Sequence, residues 1–337
     1  MQRQPSRPMR MAIIVLPSFN MAATMAFIDP FRATNYLSGR QHFLWDVVSA
    51  EGGEVMASNS LAITTSPLAS LKGAEIDLAI VSSSWSPERH CTPALRHMLR
   101  GWAQGGVTLG ALDTGAFLLA EAGLMHQRRA TCHYEHIDAL AELYPDIDVR
   151  EDMIVIDERI MTCCGGSAAV DLALHIICQL HGATMANEAA HYLFHQSLRP
   201  CDTRQSPDIR EPLGSAVPPI VRRAIRLMEG HLEETIRIPD LCTQLGVSQR
   251  SLDRLFGDIV GKSPAAYYRD IRLDRARGLV TQTSLSLFEI GIASGFSNQS
   301  HFSRAYRLRF GVSPRQDRLE GRIPFEFRAW PMHRHSA

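Results

Sequence analysis

Asp113 stands where many α/β enzymes carry their nucleophile. The stretch GVTLGALDTGAFLLAEAGL, residues 106–124, has the pattern of a buried strand that runs through a sharp turn into a helix, with Asp113 at the turn. Such a turn usually presents a Ser or Cys. Aspartate is a nucleophile in some hydrolases, but its usual helper residues are missing here. We therefore predict that this turn belongs to a binding site and not to a catalytic one.

Other polar and aromatic residues also follow apolar strands. Ligands of open parallel sheets bind beyond the carboxyl ends of the strands, so these residues are expected to line one pocket. The vicinal pair Cys163–Cys164 has no second pair that would complete a metal site, and neither a metal nor a cofactor is expected. The candidate ligand-binding residues are Phe19, Trp85, Asp113, Thr114, His133, Tyr134, Glu135, Cys164 and Gly165.

The candidate pocket favours a positively charged ligand. Asp113 precedes a predicted helix, where backbone N–H groups and the helix dipole stabilise a carboxylate. Phe19, Trp85 and Tyr134 could each add about 0.5–2 kcal/mol of cation–π energy with an ammonium group. The alternative is that Asp113 only caps its helix and that Trp85 and Tyr134 only cover the sheet.

Short apolar runs alternate with helical patterns from residue 11 to about residue 198. This alternation predicts an α/β domain: a mostly parallel, flavodoxin-like sheet with helices on both faces. The predicted strands are MAIIVL, LWDVVSA, IDLAIV, VTLGAL and MIVID, with RRAT and RIMT as further strand ends. The predicted helices include MAATMAFIDPFRATNYL, TPALRHMLRGWAQGG, SAAVDLALHIICQLHG and ANEAAHYLFHQSL.

A proline-rich stretch divides the chain. RPCDTRQSPDIREPLGSAVPP has five prolines and no sustained apolar period, which is typical of a linker. We predict a flexible start at 1–10, a ligand-binding domain at 11–198, a linker at 199–217, an all-helical domain at 218–320 and a tail at 321–337. Residues 1–216 contain 16 Lys and Arg against 23 Asp and Glu, whereas residues 217–337 contain 19 against 12. A basic carboxyl-terminal domain indicates a nucleic-acid partner.

Two segments of the basic half have the pattern of a helix-turn-helix. Each has a short helix, a turn with a glycine (Gly246 or Gly295), a capped second helix and a final Gly-x-Ser-Pro. The predicted caps are Ser248 in the first segment and Ser297 or Asn298 in the second. The helix that joins the segments suits a spacing of about one turn of DNA, ~34 Å.

The outward side chains of the second helices are of types that match base edges and phosphates. The alternative is a helical bundle with solvated Arg and Gln. The candidate DNA-binding residues are Ser248, Gln249, Arg250, Asp253 and Arg254 in the first segment, and Asn298, Gln299, Ser300, Ser303, Arg304 and Arg307 in the second.

The whole-chain composition is that of an ordinary globular protein, with 45% hydrophobic and 21% charged residues among 337. No apolar run approaches the ~18–20 residues of a membrane span. The seven cysteines have no regular spacing, which favours free thiols in a reducing cytoplasm.

Residues 217–318 resemble the DNA-binding domain of AraC/XylS-type transcription regulators. The resemblance rests on IASGFSNQSHFSRAYRLRFGVSPRQDR, and on LGVSQRSLDRLF followed by GKSPAAYYRDIRLDRARGLV. It implies that the two second helices contact successive segments of the major groove. The family's usual Tyr-Arg after the last Gly-x-Ser-Pro is here replaced within RQDR.

The first half resembles the class I glutamine-amidotransferase-like domain, in the branch of the PfpI peptidases. The resemblance rests on GALDTGAFLLAEAGL, RRATCHYEH and MTCCGGSAAVDLALHII. The enzymes of that branch have Cys at the turn, His after the next strand and a partner Glu in the first loop. This chain keeps His133, has Asp113 at the turn and has no Glu in PSFNMAATMAF. The resemblance therefore implies a scaffold without catalysis, the alternative being a cysteine- or aspartate-dependent hydrolase.

Together the two halves resemble the GlxA-like regulators. The resemblance implies a cytoplasmic transcription activator that binds double-stranded promoter DNA as a homodimer, contacts RNA polymerase and responds to a small metabolite. The segments LDTGAFLLAEAGL and CHYEH are most similar to members that respond to glycine betaine or carnitine. Arginine or another amino acid is the second candidate ligand.

Overall fold

The chain forms two compact units, Met1–Gln205 and Ser206–Ala337. The structure, a computed structural model, describes residues 7–71, 75–85, 87–196, 198–205, 218–283 and 285–320. Residues 1–6 of the predicted flexible start, residues 206–217 of the predicted linker and the predicted tail 321–337 lie outside the described residues. The domain boundaries at 11–198 and 218–320 stay predictions.

An eight-stranded sheet organises the first unit, and the predicted α/β class is confirmed. All neighbours are parallel except the pairs β3–β4 and β9–β10. Strand β5 is buried along its whole length, as expected for a parallel strand covered on both faces. The strand order is β3-β4-β2-β1-β5-β6-β10-β9, for β1 (Met9–Val15), β2 (Phe43–Ser49), β3 (Gly53–Met56), β4 (Ala62–Pro67), β5 (Leu78–Ser83), β6 (Thr108–Asp113), β9 (Ile154–Asp157) and β10 (Ile160–Cys163).

The strand in RRAT is not part of this sheet. Strand β7 (Arg129–Ala130) pairs with β8 (Asp148–Val149) in a separate two-stranded sheet. The residues after it are nevertheless attached to the main sheet, because the Thr131 N–H donates to Thr162 Oγ1 of β10 at 2.8 Å. The loop from Cys132 to Glu135 is therefore attached to the main sheet through β10, which corrects the prediction that it follows a strand of that sheet.

Six α-helices lie in the described residues of the first unit. Helices α1, α5 and α6 pack on one another, and α2 packs on α3. Helix α1 begins where the Asn20 side chain accepts from the Ala23 N–H at 3.1 Å. Its Phe27 and Phe31 are fully buried and pack edge to face at 5.2 Å. The helices are α1 (Met21–Ser38), α2 (Pro93–Gln104), α3 (Ala116–Glu121), α4 (Ile137–Leu143), α5 (Ala168–His181) and α6 (Ala183–Tyr192).

The last residues of the first unit form hydrogen bonds with the rest of that unit. Asp171 of α5, 1% exposed, accepts hydrogen bonds from His195 Nε2 at 2.9 Å and from Arg199 Nη2 at 2.6 Å. The Met153 N–H donates to the Thr203 carbonyl at 2.7 Å. Residues 199–205, predicted as the start of the linker, therefore pack on the first unit.

The described residues of the second unit are helical, as predicted. Its core contains the fully buried residues Leu252, Phe256, Phe302 and Tyr306. No helix in the described part of either unit is long and apolar enough to cross a membrane. The helices are α7 (Pro219–Glu229), α8 (Ile238–Leu245), α9 (Gln249–Val260), α10 (Pro264–Gln282), α11 (Leu287–Ala293), α12 (Gln299–Phe310) and α13 (Pro314–Glu320).

Candidate functional site

Asp113 sits in a strained turn that close packing maintains. It is the last residue of β6 and has φ +59°, a left-handed conformation that is uncommon for residues other than glycine. Gly115 touches the neighbouring strand so closely that a Cβ there would lie 2.2 Å from the Val81 carbonyl oxygen. Gly165, in the turn after β10, approaches Asp113, and a Cβ on it would lie 3.1 Å from Asp113 Cβ. Glycine at both positions lets the backbone surround this carboxyl group.

The carboxyl group of Asp113 is buried and hydrogen-bonded. Asn20 Nδ2 donates to its Oδ2 at 2.7 Å, and Ser84 and the Thr114 N–H also donate to it. Burial raises the pKa of Asp113 to about 7, although these hydrogen bonds lower it. We predicted a stabilised anion at a helix N-terminus. Helix α3 begins only at Ala116 and has no side-chain cap. The effect of desolvation on the pKa of Asp113 exceeds the opposite effect of its hydrogen bonds.

The other predicted ligand-binding residues fall into two groups. Trp85, His133, Tyr134, Glu135 and Cys164 are half-buried. Phe19, Thr114 and Gly165 are buried. Phe19 belongs to the apolar core, with no exposed surface. Thr114 Oγ1 donates to the Ser84 carbonyl at 2.6 Å, which fixes the loop beside Asp113.

The thiol that could serve a cysteine-dependent hydrolase is that of Cys132, and its pKa is raised. Cys132 is fully buried. Burial raises its pKa well above the usual range of a thiol, and the nearby Asp113 and Cys164 raise it further. A thiol is a poor nucleophile compared with a thiolate. This geometry gives no support to the cysteine-dependent hydrolase.

The predicted ligand-binding residues left out four residues of the site. Two of them, Asn20 and Ser84, follow the predicted strands MAIIVL and IDLAIV, and the other two are His136 and Gln205. Asn20 has a signal in the sequence, because an Asn before a helix is a typical cap. Gln205 has none: its Nε2 donates to the Cys132 carbonyl at 2.8 Å across 73 positions of sequence. Donor atoms of His133, Glu135 and His136 lie within 4.8 Å of one another, so these residues could hold a metal ion. The sequence analysis predicted no metal site here.

The first helix-turn-helix consists of α8 and α9. Helix α8 ends at Gly246, which has φ +70° and lets the chain reverse. The Ser248 hydroxyl then accepts from the Ser251 N–H at 3.2 Å and caps α9. Leu252 and Phe256 face the core, whereas Leu255 and Ile259 are half-buried.

The second helix-turn-helix consists of α11 and α12. Gly295, with φ +72°, lies where a Cβ would be 2.5 Å from the Leu232 carbonyl oxygen. Of the two caps predicted for α12, the structure has Asn298, which accepts from the Ser300 N–H at 2.8 Å and from the His301 N–H at 3.2 Å. The serine of each Gly-x-Ser-Pro begins the next helix: Ser263 caps α10, and Ser313 accepts from the Gln316 N–H at 3.2 Å.

Arginines of the second unit divide into structural and exposed ones. Arg277 pairs with the buried Asp317 at 2.8 Å, and Arg309 pairs with Asp274 at 2.6 Å. Arg272 lies 4.3 Å from the centre of the Phe296 ring. Four exposed arginines of α9 and α12 take part in no ion pair among the described residues. They are Arg250, Arg254, Arg304 and Arg307.

The remaining predicted DNA-binding residues lie near these arginines along α9 and α12. Ser303 is half-buried, and the others are exposed. The exposed residues are Ser248, Gln249, Asp253, Asn298, Gln299 and Ser300. Each second helix therefore presents an exposed polar face.

Comparison with known proteins agrees with this division. Residues 11–179 match the DJ-1/PfpI family, and residues 241–320 match a helix-turn-helix domain family. The HTH-type transcriptional regulator CdhR of Pseudomonas aeruginosa is 38% identical over 306 residues, which are 90% of this chain and 90% of CdhR. GbdR of the same species, also an HTH-type transcriptional regulator, is 33% identical over 316 residues, 94% of this chain and 85% of GbdR.

A solved structure is similar in fold to about half of this chain. The crystal structure of an AraC family transcriptional regulator from Pseudomonas putida is 26% identical, with a TM-score of 0.50. It covers 55% of this chain, and all of that structure is matched. The chain belongs to the GlxA-like, AraC-type transcription regulators, which join a DJ-1/PfpI unit to a DNA-binding helix-turn-helix unit.

Proposed function

We propose that this DNA-binding transcription regulator is controlled by a small ammonium-bearing metabolite that binds at Asp113. The observation that carries the proposal is the buried carboxyl group at the strand end, 4% exposed and held by Asn20. It occupies the place at which related scaffolds present a nucleophile. A cation beside it would offset the desolvation that raises its pKa.

The ligand class follows from the residues around Asp113. Trp85 and Tyr134 are half-buried aromatic residues, and each would contribute about 0.5–2 kcal/mol to binding of a desolvated quaternary ammonium group. Glycine betaine and carnitine carry this group. Arginine is the second candidate, because a guanidinium pairs well with a carboxylate.

Calorimetry on the full chain tests this ligand class. Glycine betaine, carnitine, choline and arginine are titrated separately into the wild type, Asp113→Asn and Asp29→Asn, whose carboxylate is exposed on α1. We expect binding by the wild type and Asp29→Asn, and at least about tenfold weaker binding by Asp113→Asn, since one charged contact is worth about 1.5–3 kcal/mol. No heat from any of the four compounds would refute the proposal. Turnover of an amide or peptide substrate would favour the hydrolase instead.

DNA binding is assigned to the exposed polar faces of α9 and α12. Arg250, Arg254, Arg304 and Arg307 are proposed to contact phosphates or guanine edges, and Asn298, Gln299 and Ser300 to contact bases or phosphates. Asp253 would accept from a cytosine amino group or orient Arg250. Ser248, Gln249 and Ser303 complete the surface.

Gln205 is the proposed link between the ligand and the DNA-binding unit. It is the last residue of the first unit. Its Nε2 donates to Cys132 O at 2.8 Å and Thr131 Oγ1 at 2.9 Å, and its N–H donates to Glu151 O at 2.8 Å. Cys132 immediately precedes the half-buried loop of His133 and its neighbours. A ligand that moves this loop would therefore move the residue from which the chain leaves the unit.

Replacement of Gln205 tests the link. Gln205→Ala is compared with Gln104→Ala, which lies on the exposed end of α2. Duplexes selected from a random pool are titrated with and without the amine that calorimetry identifies. Allosteric coupling is typically about 1–3 kcal/mol, and we expect Gln205→Ala to lose most of the amine-dependent change while it still binds amine and DNA. Unaltered coupling in Gln205→Ala would exclude this route.

We further propose that the regulator acts as a homodimer and activates transcription by contact with RNA polymerase. Gel filtration with and without ligand tests the dimer. A monomer under both conditions that still activates transcription in vitro would contradict it.

A further inference from the structure

Three side chains in the loop after β7 form a compact donor set. Donor atoms of His133, Glu135 and His136 all lie within 4.8 Å of one another. His133 Nδ1 and Glu135 Oε2 are 3.8 Å apart. All three residues are half-buried.

Local structure holds these side chains on one side of the loop. Residues Tyr134–His136 form a 3₁₀ helix with His133 as its N-cap, and the centres of the His133 and His136 rings lie 6.2 Å apart. The His136 ring packs edge-on against Phe117 at 6.1 Å, and the His133 ring packs against Tyr134 at 4.5 Å. These aromatic contacts orient both imidazoles before any ligand binds.

We propose that His133, Glu135 and His136 bind one divalent transition-metal ion, with Zn²⁺ as the preferred ion. Two imidazoles and one carboxylate form a ligand set of zinc, whereas Ca²⁺ and Mg²⁺ prefer oxygen ligands alone. Bond lengths of about 2.0–2.2 Å require ligand atoms about 3.3 Å apart in a tetrahedron. The donor atoms, which lie within 4.8 Å of one another, would have to draw together to about 3.3 Å.

Three protein ligands leave one tetrahedral position for water or for an anionic group of a ligand. The site also lies in the electrostatic field of Asp113, whose charge acts on Glu135. A bound cation would reduce this repulsion between two carboxylates. The metal site does not require that an ammonium compound binds, so the calorimetry of amines with metal-free protein remains a separate test of the proposed function.

Zinc titration of the full chain tests the proposal. Metal-stripped wild type, Glu135→Gln, His136→Ala and His126→Ala compete for Zn²⁺ with a metallochromic chelator. His126 is exposed and pairs with Asp146, so its variant is the matched control. Loss of an outer-shell partner alone costs about 10–100-fold in metal affinity, and we expect Glu135→Gln and His136→Ala to lose at least about 100-fold. Wild type and His126→Ala should bind one ion per chain.

Cobalt spectroscopy distinguishes this site from binding by the nearby thiols. Co²⁺ held by imidazole and carboxylate gives visible d–d bands without a thiolate charge-transfer band. A thiolate band, no binding by the wild type, or unchanged binding in both site variants would overturn the proposal. Thermal unfolding without metal checks that each variant folds, and if His136→Ala does not fold, Glu135→Gln decides.

Discussion

Asp113 in the first unit is 4% exposed with a pKa raised to about 7, whereas Arg304 in the second unit is exposed and forms no ion pair among the described residues. At the Asp113 site, one ionisable group is buried among few polar partners. On the second helices of the second unit, several charged side chains are exposed at the surface. Function in the first unit should therefore depend on desolvation and protonation, and function in the second on counterions and salt.

The same contrast exists within the second unit, where buried and exposed charges have different roles. Asp317 is 3% exposed, pairs with Arg277 and accepts from the Tyr306 hydroxyl at 2.7 Å. These residues join α10, α12 and α13. Arg304, on the same helix as Tyr306, has no such partner in the described part of the chain.

Asp317→Ala should have the largest effect on stability. Removing one partner of a buried pair leaves an uncompensated charge, which costs about 3–5 kcal/mol. Urea denaturation, with hydrogen exchange of peptides from α10 and α12, measures the loss. Asp258→Ala, at an exposed position of α9, is the control and should change stability by less than about 0.5 kcal/mol. Equal stability of the two variants would contradict the different roles assigned to buried and exposed charges.

Asp113→Asn should change how stability depends on pH. The folded pKa of about 7 exceeds the unfolded value of about 3.9. Between these pH values the folded state keeps a proton that the unfolded state releases, so the wild type loses stability as the pH rises from about 4 to about 7. Relative to Asp113→Asn, the loss is up to about 4 kcal/mol.

Urea midpoints at pH 5 and pH 8 measure this difference. Asp29→Asn, which replaces an exposed carboxylate, should follow the wild type at both pH values. Parallel pH profiles of wild type and Asp113→Asn would show that Asp113 ionises normally in the folded protein.

Arg304→Ala should weaken DNA binding without destabilising the fold. A base contact is worth about 1–3 kcal/mol, and loss of a phosphate contact instead lowers the salt slope by about one. Binding to a selected duplex at several salt concentrations separates the two roles. Arg40→Ala, at an exposed position of the first unit, should bind like the wild type. An unchanged affinity, specificity and salt slope in Arg304→Ala would remove Arg304 from the DNA-binding surface.

Asn298→Ala should have the smallest effect on stability, because the side chain caps a helix and is otherwise exposed. Loss of a cap costs about 0.5–2 kcal/mol, and urea denaturation of the second unit detects it. Asn298→Asp keeps an acceptor for the Ser300 and His301 N–H groups and should retain most of the stability. If Asn298→Asp is as unstable as Asn298→Ala, the side chain acts through another contact.

The regular elements were largely predictable because their signals are local. Apolar runs gave the central strands, and Ser248, Gly246 and Gly295 marked the helix ends. The hairpin of β3 and β4 was missed because most of its residues are exposed and leave no apolar run. Strand β7 was assigned to the wrong sheet, since two residues carry no information about their partner.

The sequence by itself determined the two-part organisation, the turn at Asp113, the exposed face of each second helix and the family resemblance, because these depend on residue type and short-range spacing. Only the tertiary structure decided that Asp113 is desolvated enough to raise its pKa and that the Gln205 side chain donates to the Cys132 carbonyl. It also decided which arginines form ion pairs with Asp274 and Asp317. Burial and pairing are set by residues distant in sequence, and their consequences for charge appear only when the chain is folded.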